Sequence, residues 1–152
     1  MKLTDVIHPK AINLELSGTT REEVLSQLVD LLAGSGAIQH PDKILDSLVE
    51  REGLGSTGIG HGVAIPHGRC AELKAPSVAL GRTQKDIEFD SIDGKPARLF
   101  FLLIAPENGS SEHLHLLAKI ARLMKDSATR ELLFDAPTPE KMLALIEASE
   151  AG

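Results

Sequence analysis

The sequence contains no tryptophan, no tyrosine and only four phenylalanines. Its core must therefore be built from Leu, Ile, Val and Ala. A single cysteine, Cys70, excludes an internal disulfide, and a reducing cytoplasm is the expected compartment. No apolar run approaches the ~20 residues of a membrane span, and the first ten residues have no apolar signal core, so no membrane insertion is expected. The net charge is −6 with no basic stripe, which argues against nucleic acid as a partner, because such binding relies on Lys and Arg to neutralise phosphates. What remains is an ordinary globular composition, 42% hydrophobic over 152 residues, enough for one domain with a substantial core.

Periodicity divides the chain into alternating elements. Residues 12–16 alternate apolar and polar as a strand does. Residues 17–36 read as a helix capped by Thr19 or Thr20, with Glu22 or Glu23 completing a capping box and Gly34 ending it. Its inward face is Val24, Leu25, Leu28, Val29, Leu31 and Leu32. A second helix spans 40–52, with Pro41 in its first turn, Ile44, Leu45, Leu48 and Val49 inward, and Gly53 as its stop. Strands are expected at 63–65 and 77–83, and two more across 87–106 around an Asp93-Gly94 hairpin turn. The run 98–105 is apolar almost throughout, as a central strand is. Residues 110–135 read as helix interrupted near 126–128, and a last helix follows Thr138 and Pro139. These elements predict an α/β sandwich, one domain over 1–152, with a mixed central β-sheet flanked by helices.

Six of the thirteen glycines, and two of the six histidines, lie between residues 53 and 69 in GLGSTGIGHGVAIPHGR. Gly53, Gly55 and Gly58 match a bare GxGxxG, but a helix precedes the motif and a strand follows it, the reverse of a dinucleotide site. No GxxxxGK[ST] is present, so no nucleotide phosphate loop is expected. The informative part is Pro66-His67-Gly68. Proline fixes its own φ and biases Ile65 toward extended geometry, and Gly68 leaves space on the far side. His67 is thus held rigidly at the end of a buried strand with room before it. An imidazole, titrating ordinarily near about 6.5, is a good nucleophile at neutral pH if one nitrogen is bare and the other is held by an acceptor. An anionic group forming there calls for donors, which the glycine-loop N–H groups, the Ser56 and Thr57 hydroxyls and the Arg51 cation could supply. A histidine trio of His61, His67 and His113 is the corresponding metal reading, but no HExxH or comparable ligand spacing accompanies it, and neither metal nor cofactor is expected. His8 and His40 read as surface or cap residues, and Cys70 as a small packing residue.

Glu52, Ile59-Gly60 and the uninterrupted Val63-Ala64-Ile65-Pro66-His67-Gly68 together resemble the phosphorylation signature of IIA components of the bacterial phosphotransferase system, fructose/mannitol type. REGLGSTGIGHGVAIPHG and the downstream HLHLL look most like the nitrogen-related regulatory branch of that family. The resemblance implies that His67 accepts a phosphoryl group from a small HPr-like phosphocarrier protein, that Arg51 is the family's arginine before the loop, and that a second histidine assists. It also implies regulatory target proteins as partners. Two candidates exist for the second histidine. His113 shares a helix face with Leu116, Leu117, Ile120 and Met124, whereas His115 shares one with Lys119, Arg122 and Asp126. The inward stripe assigns the role to His113. The alternatives are a IIA component relaying phosphate to a sugar permease and, in another class, a metal-dependent hydrolase. Leu54 and Ile59 are the apolar residues of a loop otherwise made of small ones, and at least one is expected to be exposed for docking.

Overall fold

The computed structural model describes residues 1–107 and 111–151. After a short 3-10 turn at Leu3–Asp5, the elements run β1 (Ile7–Leu16), α1 (Arg21–Gly34), α2 (Pro41–Leu54), β2 (Gly58–Gly60), β3 (Val63–Ala64), β4 (His67–Cys70), β5 (Ser77–Ile87), β6 (Ala97–Pro106), α3 (Glu112–Lys125), α4 (Ser127–Asp135) and α5 (Pro139–Ala151). Ser110, where the sequence reading starts the third helix, lies outside the described residues.

The six strands form one mixed sheet in the order β1-β5-β6-β3-β2, with β4 also paired to β6. β6 lies at its centre, and Leu99 to Ile104 are fully buried along it. Side chains alternate across a strand. Phe100, Leu102 and Ile104 therefore pack under α1 and α2 with Leu28, Leu32 and Leu48, while Leu99, Phe101 and Leu103 pack under α3, α4 and α5 with Leu116, Ile120, Leu133 and Met142. Helices cover both faces, as the α/β sandwich reading requires.

The caps follow the sequence. Thr20 accepts from the Glu23 N–H at 3.2 Å, the Glu23 carboxylate reaches back to the Thr19 N–H, and Thr138 accepts from the Lys141 N–H at 3.1 Å. The third helical segment breaks at Asp126, within the expected window. Gly34 remains inside α1, and it is Gly36 that takes positive φ after the helix. α2 runs on through Gly53 to Leu54. Val49, expected inward, is 40% exposed, and Leu31 and Leu45 are half-buried: the apolar stripe is wider than the surface the sheet offers.

Three strand assignments are corrected. β1 begins at Ile7, not residue 12, because an edge strand tolerates Pro9. β5 extends to Ile87, and Ile87 pairs directly with Ala97. Asp93-Gly94 is thus not a two-residue hairpin turn but part of a loop over 88–96. That loop folds over because Phe89 is fully buried and the Ile92 N–H bonds to the Gly58 carbonyl at 3.2 Å. Finally, the glycine-rich segment is largely sheet. β2 and β3 form a hairpin through His61 and Gly62, both at positive φ as a tight hairpin turn requires, and β4 adds a strand the sequence did not suggest.

Candidate functional site

β3 and β4 lie along the same edge of β6. Val63 and Ala64 pair with Leu99 and Phe100, and His67 to Cys70 pair with Leu103 to Pro106, in one unbroken register. Ile65 and Pro66 fall between. Pro66 has no N–H for the ladder, but its carbonyl accepts from the Leu103 N–H at 2.9 Å. His67 is thereby fixed at the first residue after the break rather than at the end of a strand.

Alternation then decides which way it faces. Val63 and Ile65 pack toward α3, Ala64 and Cys70 toward α1 and α2, and a Cβ on Gly68 would touch Leu48 of α2 at 3.4 Å. His67 and Arg69 belong to the α3 side. There α3 begins, and its second residue, His113, is buried with its ring 5.5 Å from the His67 ring at an interplanar angle of 63°. His115 is exposed, lining a separate cleft with Met1, Lys119 and Arg122. His113 thus lies on the inward face of α3 and His115 on the solvated one, as helical spacing predicts.

The Nδ1 atom of His67 lies 2.8 Å from the Ile65 carbonyl oxygen. A carbonyl only accepts, so Nδ1 carries the hydrogen and Nε2 keeps a bare lone pair. His113 is held below the ordinary imidazole value, first by burial and then by repulsion from a proton arriving on His67 and from the Arg69 charge. Its Nδ1 is buried without a partner among the described residues.

Two clefts meet at His67. One, of about 400 Å³, is lined by Ser47, Arg51, Gly68, Arg69, Glu107 and His113. The other, about 590 Å³, is bounded by Ser56, Thr57, Ile59, Asp90, Ile92 and Leu117, among others. Arg51 reaches in from the last turn of α2, its guanidinium donating to the Gly55 carbonyl at 2.7 Å. Arg69 escaped the sequence reading because "PHGR" read as loop. Once β4 is known, spacing of two from His67 places it on the same side of the strand.

Ser56 and Thr57 line the cleft as expected, but their hydroxyls are turned inward. Ser56 Oγ donates to the Phe89 carbonyl and accepts from the Gly58 N–H at 3.0 Å, and Thr57 Oγ1 donates to the buried carboxylate of Glu52. Both hydroxyl hydrogens are thus engaged within the protein. His61 sits exposed on the hairpin turn, its N–H bonded to Asp93 at 3.0 Å, and lines neither cleft. Cys70 is buried at the end of β4.

The glycines differ in purpose. A Cβ on Gly58 would lie 2.3 Å from Ser91 Oγ and 2.9 Å from Ser91 Cα, so the two loops pack backbone against backbone. Gly60 and Gly62 take positive φ.

Similarity to known proteins agrees with this geometry. A nitrogen regulatory protein of Bradyrhizobium diazoefficiens is 37% identical over 99% of this chain and 100% of its own length. A fructose-specific EIIA component of a phosphotransferase system in Haloferax volcanii is 36% identical over 92% and 93%. The crystal structure of the nitrogen regulatory protein IIA-Ntr from Neisseria meningitidis superposes with a TM-score of 0.87 at 35% identity, covering 95% of this chain and 98% of that one. IIA mannitol from Escherichia coli, at 23% identity and a TM-score of 0.76, shares the fold. A family model described as the phosphoenolpyruvate-dependent sugar phosphotransferase system, EIIA 2, matches residues 5–149, and the chain belongs to that family.

Proposed function

We propose that the chain works as a phosphocarrier in which Nε2 of His67 accepts a phosphoryl group from the phosphohistidine of an HPr-like carrier protein. The observation that carries this reading is the bond from Nδ1 of His67 to the Ile65 carbonyl, which leaves Nε2 as a bare nucleophile beside Arg51, Arg69 and His113. The Nε2 lone pair attacks phosphorus, and an N–P bond forms. The N–P bond of the donor breaks, its electron pair returning to the donor imidazole. No proton need move. The Nδ1–H stays on His67, and the positive charge that the ring acquires is stabilised by the Ile65 carbonyl. The transition state is loose, so positioning and charge do most of the work. Arg51 and Arg69 supply a local positive field in a chain of net charge −6, and His113 can donate from Nε2 or take up a proton as the dianion arrives.

The destination of the phosphoryl group is read as regulatory: the state of His67 alters which proteins the chain binds. The end-to-end match to nitrogen regulatory proteins favours this. Onward transfer to a sugar permease is the second reading, favoured by the match to a fructose-specific EIIA component.

Incubation with phosphoenolpyruvate, enzyme I and an HPr-like carrier should add one phosphoryl group to the intact mass, labile in acid. His67→Ala should abolish the gain. Full phosphorylation of that variant would overturn the assignment. Supplying a permease IIB component then separates the two destinations, since rapid onward transfer supports sugar relay.

A further inference from the structure

The glycine-rich segment that carries His67 contains a buried carboxylate that the proposed transfer does not use. Glu52, in the last turn of α2, is 4% exposed, and Thr57, to which it bonds, is 6% exposed. Burying a carboxylate is costly unless donors replace its water. Here both donors come from one residue: the Thr57 N–H reaches Glu52 Oε2 at 3.1 Å, and the Thr57 hydroxyl donates to Oε1.

We infer that Glu52 is a positioning residue for phosphoryl transfer, setting the ring orientation and tautomer of His67 through Thr57 and Ile65. The inference rests on the reading of His67 as the phosphoryl acceptor. The path is short and each link is a hydrogen bond. Glu52 holds Thr57 at both its N–H and its hydroxyl. The Thr57 carbonyl accepts from the Ile65 N–H at 3.0 Å. The Ile65 carbonyl in turn accepts from Nδ1 of His67 at 2.8 Å. Beyond Ile65, the Pro66 carbonyl is held by the Leu103 N–H, so the peptides on both sides of the acceptor carbonyl are fixed.

A reference point matters here because the intervening chain is rich in glycine and has few side chains to anchor it. Between α2 and β4 lie Gly55, Gly58, Gly60 and Gly62, residues with wide backbone freedom. Glu52 joins this segment to the end of a helix whose Ile44 and Leu48 are locked in the core. It also follows Arg51 in sequence, so one helical turn sets both the cation of the cleft and, through Thr57, the nucleophile.

The test reads His67 directly in the unphosphorylated full chain, by long-range ¹H–¹⁵N correlation of the imidazole above pH 7.5, alongside transfer kinetics with the carrier. The native protein should show Nδ1 protonated and Nε2 bare. In Glu52→Ala the two tautomers should average, and transfer at saturating carrier should slow by about 10–100-fold, the scale of a small misplacement of reacting atoms. The carrier's KM should change little, as for a group acting after binding. Glu52→Gln can still accept from the Thr57 N–H and donate to its hydroxyl oxygen, and should restore the tautomer and most of the rate. Should Glu52→Ala fail to fold, Thr57→Val carries the test. It removes one of the two bonds at nearly constant volume, and should slow transfer by about 5-fold with partial tautomer averaging. A native tautomer with a native rate in a folded Glu52→Ala, or in Thr57→Val if that variant must stand in, overturns the inference. That outcome is separate from failure of the acceptor assignment, which shows only as phosphorylation of His67→Ala and leaves the tautomer measurement untouched.

Discussion

The imidazoles of His67 and His113 meet edge to face, with centroids 5.5 Å apart and planes inclined by 63°. One ring is half-buried at the mouth of a cleft, and the other is buried behind it at the start of α3. The pair thus combines a reachable imidazole with a second one that solvent barely touches.

This arrangement predicts unequal effects of two neighbouring substitutions. His113→Ala should slow phosphoryl transfer by about 10²–10³-fold, the usual loss when one positioned donor is removed. His115→Ala, on the solvated face of α3, should leave the rate near native. Rates measured with one phosphorylated carrier check both, and the opposite order would refute the role given to His113.

Stability should fall on mild acidification because of His113. Its folded-state pKa lies below the ordinary imidazole value, with burial as the first cause and repulsion from a proton arriving on His67 and from the Arg69 charge behind it. As pH falls through about 6.5 the unfolded chain takes the proton first, so the folded state loses ground until pH passes below the folded pKa. The lowered carboxylates, Glu23, Glu72, Asp93 and Asp126, act in a lower window, below their ordinary 4.5 or 3.8. Melting temperatures between pH 7.5 and 5.5 should therefore decline, and His113→Gln should flatten the decline. Phosphorylation of His67 should raise the His113 pKa, read by NMR titration, because a charge of about −1.5 to −2 arrives beside it.

Two glycines of the same segment should respond in opposite ways. Gly58→Ala drives a methyl group against the Ser91 backbone and should destabilise by about 1–3 kcal/mol, while slowing transfer, since the displaced loop lines the cleft. Gly55 has open space around its Cβ position and extended backbone, so Gly55→Ala should stay within about 0.5 kcal/mol of native. Urea unfolding of both variants measures the contrast.

The rim of the site predicts a phosphorylation-dependent partner surface. Leu54 is 83% exposed at the end of α2, Ile92 is 85% exposed at the edge of the cleft, and Ile59, half-buried, lines the same cleft as Ile92. Ile92→Glu should weaken carrier binding by about 10-fold or more with little change in melting temperature, as expected of an anchor near an interface centre. Targets that bind through apolar or acidic groups should release phosphorylated protein, and targets rich in arginine should prefer it. Calorimetry with both forms decides this, and equal binding of every target would sink the regulatory reading.

What the sequence determined by itself was local or periodic. The amphipathic stripes of α1, α2 and α3, the caps at Thr20 and Thr138, the apolar run of β6 and the contiguous Val63–Gly68 motif are all read from neighbours along the chain. Helical spacing placed His113 and His115 on different faces of α3. The tertiary structure decided what depends on chain segments far apart. β4 exists because β6 offers it an edge, and only that pairing puts Arg69 beside His67. The loop over 88–96 was legible as a turn signal, but its fold onto Gly58 requires Phe89 to find the core. Ser56 and Thr57 looked like free hydroxyls because residue type shows capacity to donate, not which acceptor lies nearest. Glu52 appeared in the motif without a function. Its bond to Thr57 spans only five residues, yet the path onward to His67 runs through the backbone bond between Thr57 and Ile65, which no local pattern encodes.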